Sequence, residues 1–163
     1  MARKPQWKTS AKELADATKQ FDEPFKSTYR DEPNSPLFPF GFGLSYTQFH
    51  LGAPRLEKTS ISRDESTAVH VDVTNRGDRA GDETVQLYIR DLVSSVTRPI
   101  KELKGFQRIT LQPGDTTTVS LPISPEHLAF WNINMDFMVE PGEFLIMVGP
   151  NSRDLQTVTL SVI

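Results

Sequence analysis

The sequence after Tyr46 is dominated by short runs in which every second residue is apolar. Because successive side chains of a strand point to opposite faces, each run predicts a strand with one buried face. Two further strands are predicted around Phe49–Leu56 and Glu102–Ile109. Five runs show the pattern most clearly, with alternate apolar side chains at Val69, Val71 and Val73; Val85, Leu87 and Ile89; Val119 and Leu121; Phe144, Ile146 and Val148; and Val158, Leu160 and Val162.

Turn-forming residues separate these runs. Asn75-Arg76-Gly77-Asp78, Pro113-Gly114-Asp115 and Pro141-Gly142 are typical of tight turns. The segment SPEHLAF predicts one helical turn between strands, because Ser124 suits an N-cap and Pro125 suits the first helical position. Short strands at regular spacing with Gly and Pro between them predict an all-β, two-sheet antiparallel sandwich of about seven strands, from Thr47 to Ile163.

Residues 1–46 have a different character and are predicted to be an irregular arm or linker. Ser10 and Glu13 fit a capping box, and the apolar residues up to Phe21 follow at helical spacing, which predicts a short helix that Pro24 ends. The acids and prolines from Asp22 onward predict a solvated connector. The basic start MARKPQWKTS leads into no apolar segment, so we expect no secretory signal peptide.

The end of this arm, SPLFPFGFGLSYTQF, concentrates aromatic rings in a way that needs an explanation. In an extended chain one face would be a row of rings and the other would be almost bare. The two glycines would permit close backbone approach or positive φ. Along the segment, apolar Phe38, Phe40, Phe42, Leu44 and Tyr46 alternate with Pro39, Gly41, Gly43 and Ser45.

Composition excludes several classes of function. The chain of 163 residues has a net charge of −3, which does not favour nucleic-acid binding as a primary role. It has no cysteine, so disulfides and thiolate metal sites are excluded. No apolar run approaches the length of a membrane span, so we expect no membrane partner.

Several long motifs together resemble one family. They are PLFPFGFGLSYTQF (residues 36–49), VDVTNRGDRAGDETVQLYIRD (71–91), VTRPIKELKGFQRITLQPGDTTTVSLPI (96–123) and FWNINMDFMVEPGEFLIMVGPNS (130–152). In this order they resemble the C-terminal immunoglobulin-like, fibronectin type III-like domain of family 3 glycoside hydrolases, mainly β-glucosidases. Residues 31–46 resemble the tail of the family's preceding α/β sandwich domain, and residues 47–163 resemble the fibronectin-like domain.

The resemblance implies a parent enzyme and does not carry catalysis onto this chain. Family members hold their aspartate nucleophile in an N-terminal barrel and usually their acid/base glutamate in the second domain. The resemblance therefore implies a non-catalytic accessory domain that packs against catalytic domains, without a cofactor, and that meets β-glucosides or oligosaccharides only through the parent. Family members are often periplasmic or secreted. An alternative is an enzyme fragment that is active only when the missing domains are supplied.

The acids and histidines give no independent sign of catalysis or metal binding. Glycoside hydrolysis needs two carboxylates facing each other across a sugar, whereas Asp64-Glu65 and Asp78 with Asp82 are expected in solvated turns. No pair among the three histidines has helical metal-ligand spacing. We therefore expect no catalytic, cofactor-binding or metal-binding residue in this sequence.

Two residues in the sandwich have both a functional and a structural interpretation. Trp131, beside two asparagines, could stack on a sugar and make the chain a carbohydrate-binding module; alternatively it fills the end of the sandwich with Phe130. Arg98 lies in a long connection, where it could reach a partner domain or be a surface arginine. We expect the rings of Phe38, Phe40, Phe42 and Tyr46, with Arg98, to contact a partner domain, and exposed rings would also permit self-association. The alternative is that the rings only cover one open edge of the sandwich.

Overall fold

The computed structural model of the chain describes residues 35–163. The predicted helix after Ser10 and the connector from Asp22 to residue 34 lie outside these residues. Phe38–Ile163 form one compact unit, which begins upstream of Thr47. The division of the family's domains at residues 46 and 47 stays a prediction.

Eleven strands and one helical turn follow one another within the described residues. Seven runs were predicted as strands, and each of them occurs. The elements in chain order are β1 (Phe49–Leu51), β2 (Arg55–Leu56), β3 (Ser60–Ile61), β4 (Thr67–Asn75), β5 (Gly81–Asp91), β6 (Glu102–Leu111), β7 (Thr116–Ile123), α1 (Pro125–Leu128), β8 (Phe130–Trp131), β9 (Phe137–Met138), β10 (Gly142–Gly149) and β11 (Gln156–Val162).

These strands build two large sheets and one small hairpin. In the first sheet, β4 pairs with β1 and β2 along one side and with β7 along the other. The second sheet has the order β3-β11-β10-β5-β6, in which only the short β3–β11 pair is parallel. The hairpin consists of β8 and β9. The all-β sandwich predicted from alternation is therefore confirmed.

The core lies between the two large sheets and is filled by the predicted alternating side chains. Strand β4 alternates strictly between buried and half-buried residues from Thr67 to Asn75, as a strand with one covered face must. From the first sheet the core receives Val69, Val71, Val73, Val119, Leu121 and Ile123, and from the second Ile61, Val85, Leu87, Ile89, Phe144, Ile146, Val148, Leu160 and Val162.

The single strand predicted at Phe49–Leu56 is wrong in detail, because the structure divides it into β1 and β2. The register moves from Leu51 opposite Val73 to Arg55 opposite His70, which leaves one extra residue in the segment between β1 and β2. Pro54 lies in this interval and has no N–H to donate to β4. An inserted residue and a missing donor together interrupt the ladder.

The helical turn predicted after Ser124 is confirmed as α1. Pro125 occupies its first position, and the backbone N–H of Ser124 donates to Nδ1 of His127 at 3.3 Å. Leu128 points into the core, so the turn closes one end of the sandwich and leads directly into β8.

Candidate docking surface

The aromatic segment does not run as one extended row. The N–H of Phe42 donates to the carbonyl of Pro39 at 3.0 Å, and Gly41 between them has a φ of +79°. A β-turn with positive φ at its third residue favours glycine. The predicted straight row of rings is therefore wrong, because the turn brings the rings of Phe38 and Phe42 to a centroid distance of 5.1 Å.

The backbone of this turn is pressed against the second sheet. A Cβ atom at Gly41 would overlap the side-chain amide of Gln86 in β5, with Oε1 at 2.6 Å. Gln86 cannot easily yield, because its Nε2 donates to Pro150 O at 2.7 Å and its Oε1 accepts from Tyr88 Oη at 2.6 Å. The expectation for Gly41 is confirmed in both respects. For Gly43 it is wrong, because nothing lies within 4 Å of its Cβ position and its φ is not positive.

Two more groups of hydrogen bonds hold this segment, which is the last part of the predicted arm. From here on, the arm means Phe38–Tyr46 only. On one side the N–H of Ser152 donates to Phe40 O at 2.9 Å. Where the arm enters the sandwich, Thr47 Oγ1 donates to Oδ1 of the fully buried Asn75 at 2.6 Å. The Asn75 amide in turn donates to Arg79 O at 2.7 Å and to Leu111 O at 3.0 Å. The arm is therefore an ordered part of the domain.

The aromatic side chains of the arm nevertheless point into solvent. The alternative in which they cover an open edge of the sandwich does not fit these exposures, since the backbone side of the arm contacts the sheet. The exposed fractions are 63% for Phe38, 67% for Phe40, 45% for Phe42 and 94% for Tyr46.

A shallow groove of about 400 Å³ lies between the arm, the start of β5 and the loop after β10. Asp82, Glu83 and Asp154 contribute carboxylates to its lining. Burial raises the pKa of Glu83, although the N–H of Thr84 donates to its carboxylate and opposes this. Hydrogen bonds from Thr110 and then Arg108 lower the pKa of Asp82. Of Asp82 and Glu83, only Glu83 thus has its pKa shifted in the direction that a general acid needs.

Arg98 is not a surface arginine, so that interpretation of the sequence is wrong. Its side chain is 8% exposed and donates to Asp91 at 3.1 Å, to Glu102 at 2.8 Å and to Leu128 O at 3.2 Å. The guanidinium also lies 4.7 Å from the ring centroid of Phe130. Arg98 therefore joins the loop after β5 to β6, α1 and β8, and a contact between it and a partner domain stays a prediction.

The carboxylate of Glu102 shows how completely this cluster is paired. Burial acts to raise the pKa of Glu102, but hydrogen bonds from Lys104 at 2.7 Å and from Arg98 outweigh burial and lower it. The cluster holds paired charges and does not resemble a proton-transferring site.

Trp131 and Phe130 separate onto opposite sides of β8. Phe130 is buried as expected, whereas Trp131 is 59% exposed, so the expectation that both fill the end of the sandwich is wrong for Trp131. The indole packs against Phe137 of β9 with a centroid distance of 5.3 Å. Both rings line a cleft of about 390 Å³ that also includes Glu126 and Lys104.

Two of the remaining candidate acids, Glu65 and Asp78, lie in ion pairs on the surface. Glu65 accepts from Lys58 Nζ at 2.7 Å, and this bond, with one from the Ser62 N–H, lowers its pKa. Residues 35–163 contain no cluster of three potential metal ligands among their His, Asp and Glu side chains. In the same part of the chain no helix has the length and apolar character needed to cross a bilayer.

Sequence reasoning missed three residues that organise this surface. Asn75 was interpreted only as part of a turn, and Gln86 and Tyr88 only as the polar face of a strand. Strand β5 is buried on both faces from Val85 to Ile89, which departs from strict alternation. The three consecutive large residues Leu87, Tyr88 and Ile89 were the available signal that the outer face of β5 is also covered.

Comparisons with known proteins identify the domain. Residues 83–152 match the family described as "Fibronectin type III-like domain". The chain is 52% identical over 139 residues to a β-xylosidase of Formosa agariphila, which covers 84% of this chain and 19% of that protein. It is 46% identical over 128 residues to the periplasmic β-glucosidase of Salmonella typhimurium, covering 78% of this chain and 17% of that protein.

A solved structure shows the same arrangement. A crystal structure of β-glucosidase from Listeria innocua in complex with glucose superposes with a TM-score of 0.81 at 36% identity, and the match covers 89% of this chain and 20% of that chain. The chain thus spans about a fifth of the length of these relatives. Residues 83–152 thus form a fibronectin type III-like domain, and the chain that contains it is similar to one segment of β-glucosidases and β-xylosidases.

Proposed function

We propose that this chain is a non-catalytic accessory domain of a β-glucosidase-like glycoside hydrolase, and that it docks on the parent's catalytic domains through the arm. One observation supports this most directly: the arm's backbone is fixed to the sandwich while Phe38, Phe40, Phe42 and Tyr46 remain exposed. An ordered, exposed aromatic patch is typical of an interaction site. Because the chain matches about a fifth of its relatives, most of the parent's length is available as the partner.

The burial of these rings would provide a substantial driving force. Each aromatic side chain can bury about 150–250 Å². At about 25 cal/mol per Å², three fully buried rings would contribute about 11–19 kcal/mol as an upper limit, and less here because the rings are already partly covered. The observed exposures leave that contribution unused in the isolated domain.

A binding experiment tests the proposal. The probes are the Salmonella typhimurium β-glucosidase and the Formosa agariphila β-xylosidase, each truncated to remove the segment that this chain matches. We expect the chain to bind at least one probe, and Phe40→Ser with Phe42→Ser to weaken binding by about tenfold or more. Isothermal titration calorimetry measures both affinities.

The same variant must leave the domain folded. Because both rings are exposed, we expect its free energy of unfolding to change by about 1 kcal/mol or less. A loss of several kcal/mol would assign the rings to the domain's own core and contradict the proposal. Absence of binding to both probes would contradict it as well.

An enzyme fragment that needs complementation is distinguished in the same mixtures. The chain alone should not hydrolyse β-glucosides. If it does, and one acid substitution abolishes the activity, the accessory role is wrong. If a probe gains glycosidase activity on addition of the chain, complementation accompanies docking.

The exposure of Trp131 favours carbohydrate binding as a second candidate function. Its ring and that of Phe137 lie beside Glu126 and Lys104, which could accept and donate hydrogen bonds to sugar hydroxyls. Titration with cello-oligosaccharides, followed by tryptophan fluorescence in a Trp7→Phe background, should show a saturable change. Loss of this change in Trp131→Ala supports the site, and no change at any concentration excludes it.

A further inference from the structure

The arm alone is too small for a stable interface. The exposed parts of Phe38, Phe40, Phe42 and Tyr46 amount to roughly 540 Å², given about 200 Å² for a whole ring. Stable interfaces bury about 800 Å² on each partner. A docking surface built on the arm must therefore continue onto a neighbouring element.

Phe106 lies on β6, the strand next to β5, and β5 carries the Gln86 side chain against which the arm packs. It is directly opposite Gln86 in the β5–β6 ladder, and Gln86 is the residue against which Gly41 packs. Side chains of directly opposed residues lie on the same face of a sheet, about 4.5–5.5 Å apart at Cβ. Phe106 is 68% exposed although it lies within a ten-residue strand.

Neighbouring contacts confirm which face Phe106 occupies. Two and four residues further along β6, Arg108 and Thr110 hydrogen-bond to Asp82, which is on the same face of β5 as Gln86. Gly105, directly before Phe106, lies on the opposite face of β6 and faces the core, since a Cβ atom added there would contact Leu87 at 3.8 Å. Phe106 therefore points to the outer face that the arm crosses.

The polar groups beneath this surface are already paired. Gln86 is bonded to Pro150 and Tyr88, and Lys101 Nζ donates to Ser152 O on the same side of the sheet. A partner that covers the rings would not have to satisfy these groups. The resulting surface has aromatic rings above an internally bonded polar layer, which suits an apolar partner surface.

We propose that Phe106 and the arm rings form one continuous docking face for the catalytic domains of the parent glycoside hydrolase. This inference rests on the proposed function and extends it to β6, an element outside the arm. The parent is the occupant because its relatives are about five times as long as the matched segment. With Phe106 the exposed ring area rises to roughly 670 Å², closer to a standard interface.

The variant Phe106→Ser tests this with the two truncated relatives as probes. We expect its affinity, measured by calorimetry, to fall about tenfold with an unchanged melting temperature, because the ring is exposed. The matched control is Ile163→Ser. Ile163 is also exposed but follows β11, which β10 and β5 separate from β6, so its affinity should not change.

The possible results separate this inference from the proposed function. If the arm variant weakens binding and Phe106→Ser does not, the docking face ends at the arm and this inference is wrong. If Phe106→Ser weakens binding and the arm variant does not, the arm-based function is wrong while β6 remains a contact. If neither probe binds but Phe106→Ser abolishes self-association in sedimentation velocity, a second copy of the chain is the occupant and both proposals are wrong. If neither probe binds and the chain does not self-associate, both are also wrong.

Discussion

At the scale of single residues, two glycines of the arm have different roles despite their closeness in sequence. Gly41 has positive φ and meets the buried Gln86 amide, whereas Gly43 has open space around it. The alternating pattern of the sequence treats the two alike. Only the fold distinguishes them, because the contact at Gly41 joins residues far apart in the chain.

This difference gives a matched pair of substitutions. Gly41→Ala should destabilise the arm by about 1–3 kcal/mol, since it combines an unfavourable φ with an overlap at Gln86. Gly43→Ala should stay within about 0.5 kcal/mol of the parent chain. Amide exchange of Ser152, whose N–H donates to Phe40 O, reports the opening of the arm. Equal exchange rates in both variants would show that Gly41 does not fix the arm.

Arg98 shows a limit of sequence reasoning at the same scale. An arginine in a long polar connection is normally exposed, and nothing local predicts its burial. The buried position depends on Asp91 and Glu102, which hydrogen-bond to its guanidinium from the end of β5 and the start of β6. The charge pattern of one segment cannot reveal a pairing that three segments create together.

At the scale of elements, long strands were predictable and two-residue strands were not. Strand β4 has nine residues, so its alternation is unmistakable, and β7 and β11 alternate in the same way. Strands β5 and β10 keep apolar residues at every second position but are also buried on their second face. Strands β3, β8 and β9 have two residues each, which is too few to show a period. Their existence depends on neighbours that the fold places beside them.

The candidate site was predictable in the arm but not in β6. The density of rings from Phe38 to Tyr46 marked the arm as a surface that needs a partner. Phe106 was overlooked, although its position on the opposite face from Ile109 and Leu111 predicts exposure of a large ring. The physical reason to connect Phe106 with the arm is the shared neighbour Gln86, which only the sheet register reveals.

A single carboxylate links three strands of the first sheet and makes its stability pH-dependent. Asp72 in β4 accepts from Arg55 in β2 at 2.8 and 3.0 Å and from Thr118 in β7 at 2.6 Å. Hydrogen bonds from Arg55 and Thr118 lower its pKa from 3.8 to about 2. Because the folded state favours the charged form, the stabilisation is fully present above about pH 4 and is lost as the pH falls toward 2.

We therefore expect Asp72→Asn to lower the melting temperature at pH 7, and the difference from the parent chain to shrink between pH 4 and 2. Thermal unfolding across this range by circular dichroism measures the effect. Asp64→Asn serves as the control because Asp64 is an exposed carboxylate in the turn before β4. A constant difference at all pH values would show that packing around Asp72, and not its charge, stabilises the three strands.

At the scale of the whole molecule, the isolated domain exposes an aromatic surface to water. Its relatives are about five times as long as the matched segment, which is enough additional chain to cover that surface. The core between the sheets is closed, and within residues 35–163 every buried side-chain nitrogen and oxygen has a hydrogen-bond partner. The apolar ring area that remains exposed to water lies on the outside of the domain, at the arm and Phe106. Such a surface favours association with any apolar partner, including a second copy.

We expect the isolated chain to self-associate weakly, because the exposed ring area is below the roughly 800 Å² that a stable interface buries on each partner. Sedimentation velocity over a range of concentrations should show a shift toward dimers for the parent chain and little shift for Phe40→Ser with Phe42→Ser. Ile163→Ser should behave like the parent chain, since Ile163 follows the strand beside the opposite edge of the sheet. If the truncated relatives bind through the same face, adding them should dissociate the dimers, because one set of rings cannot be buried twice. Dimers that persist in the presence of a bound relative would place self-association on a different surface.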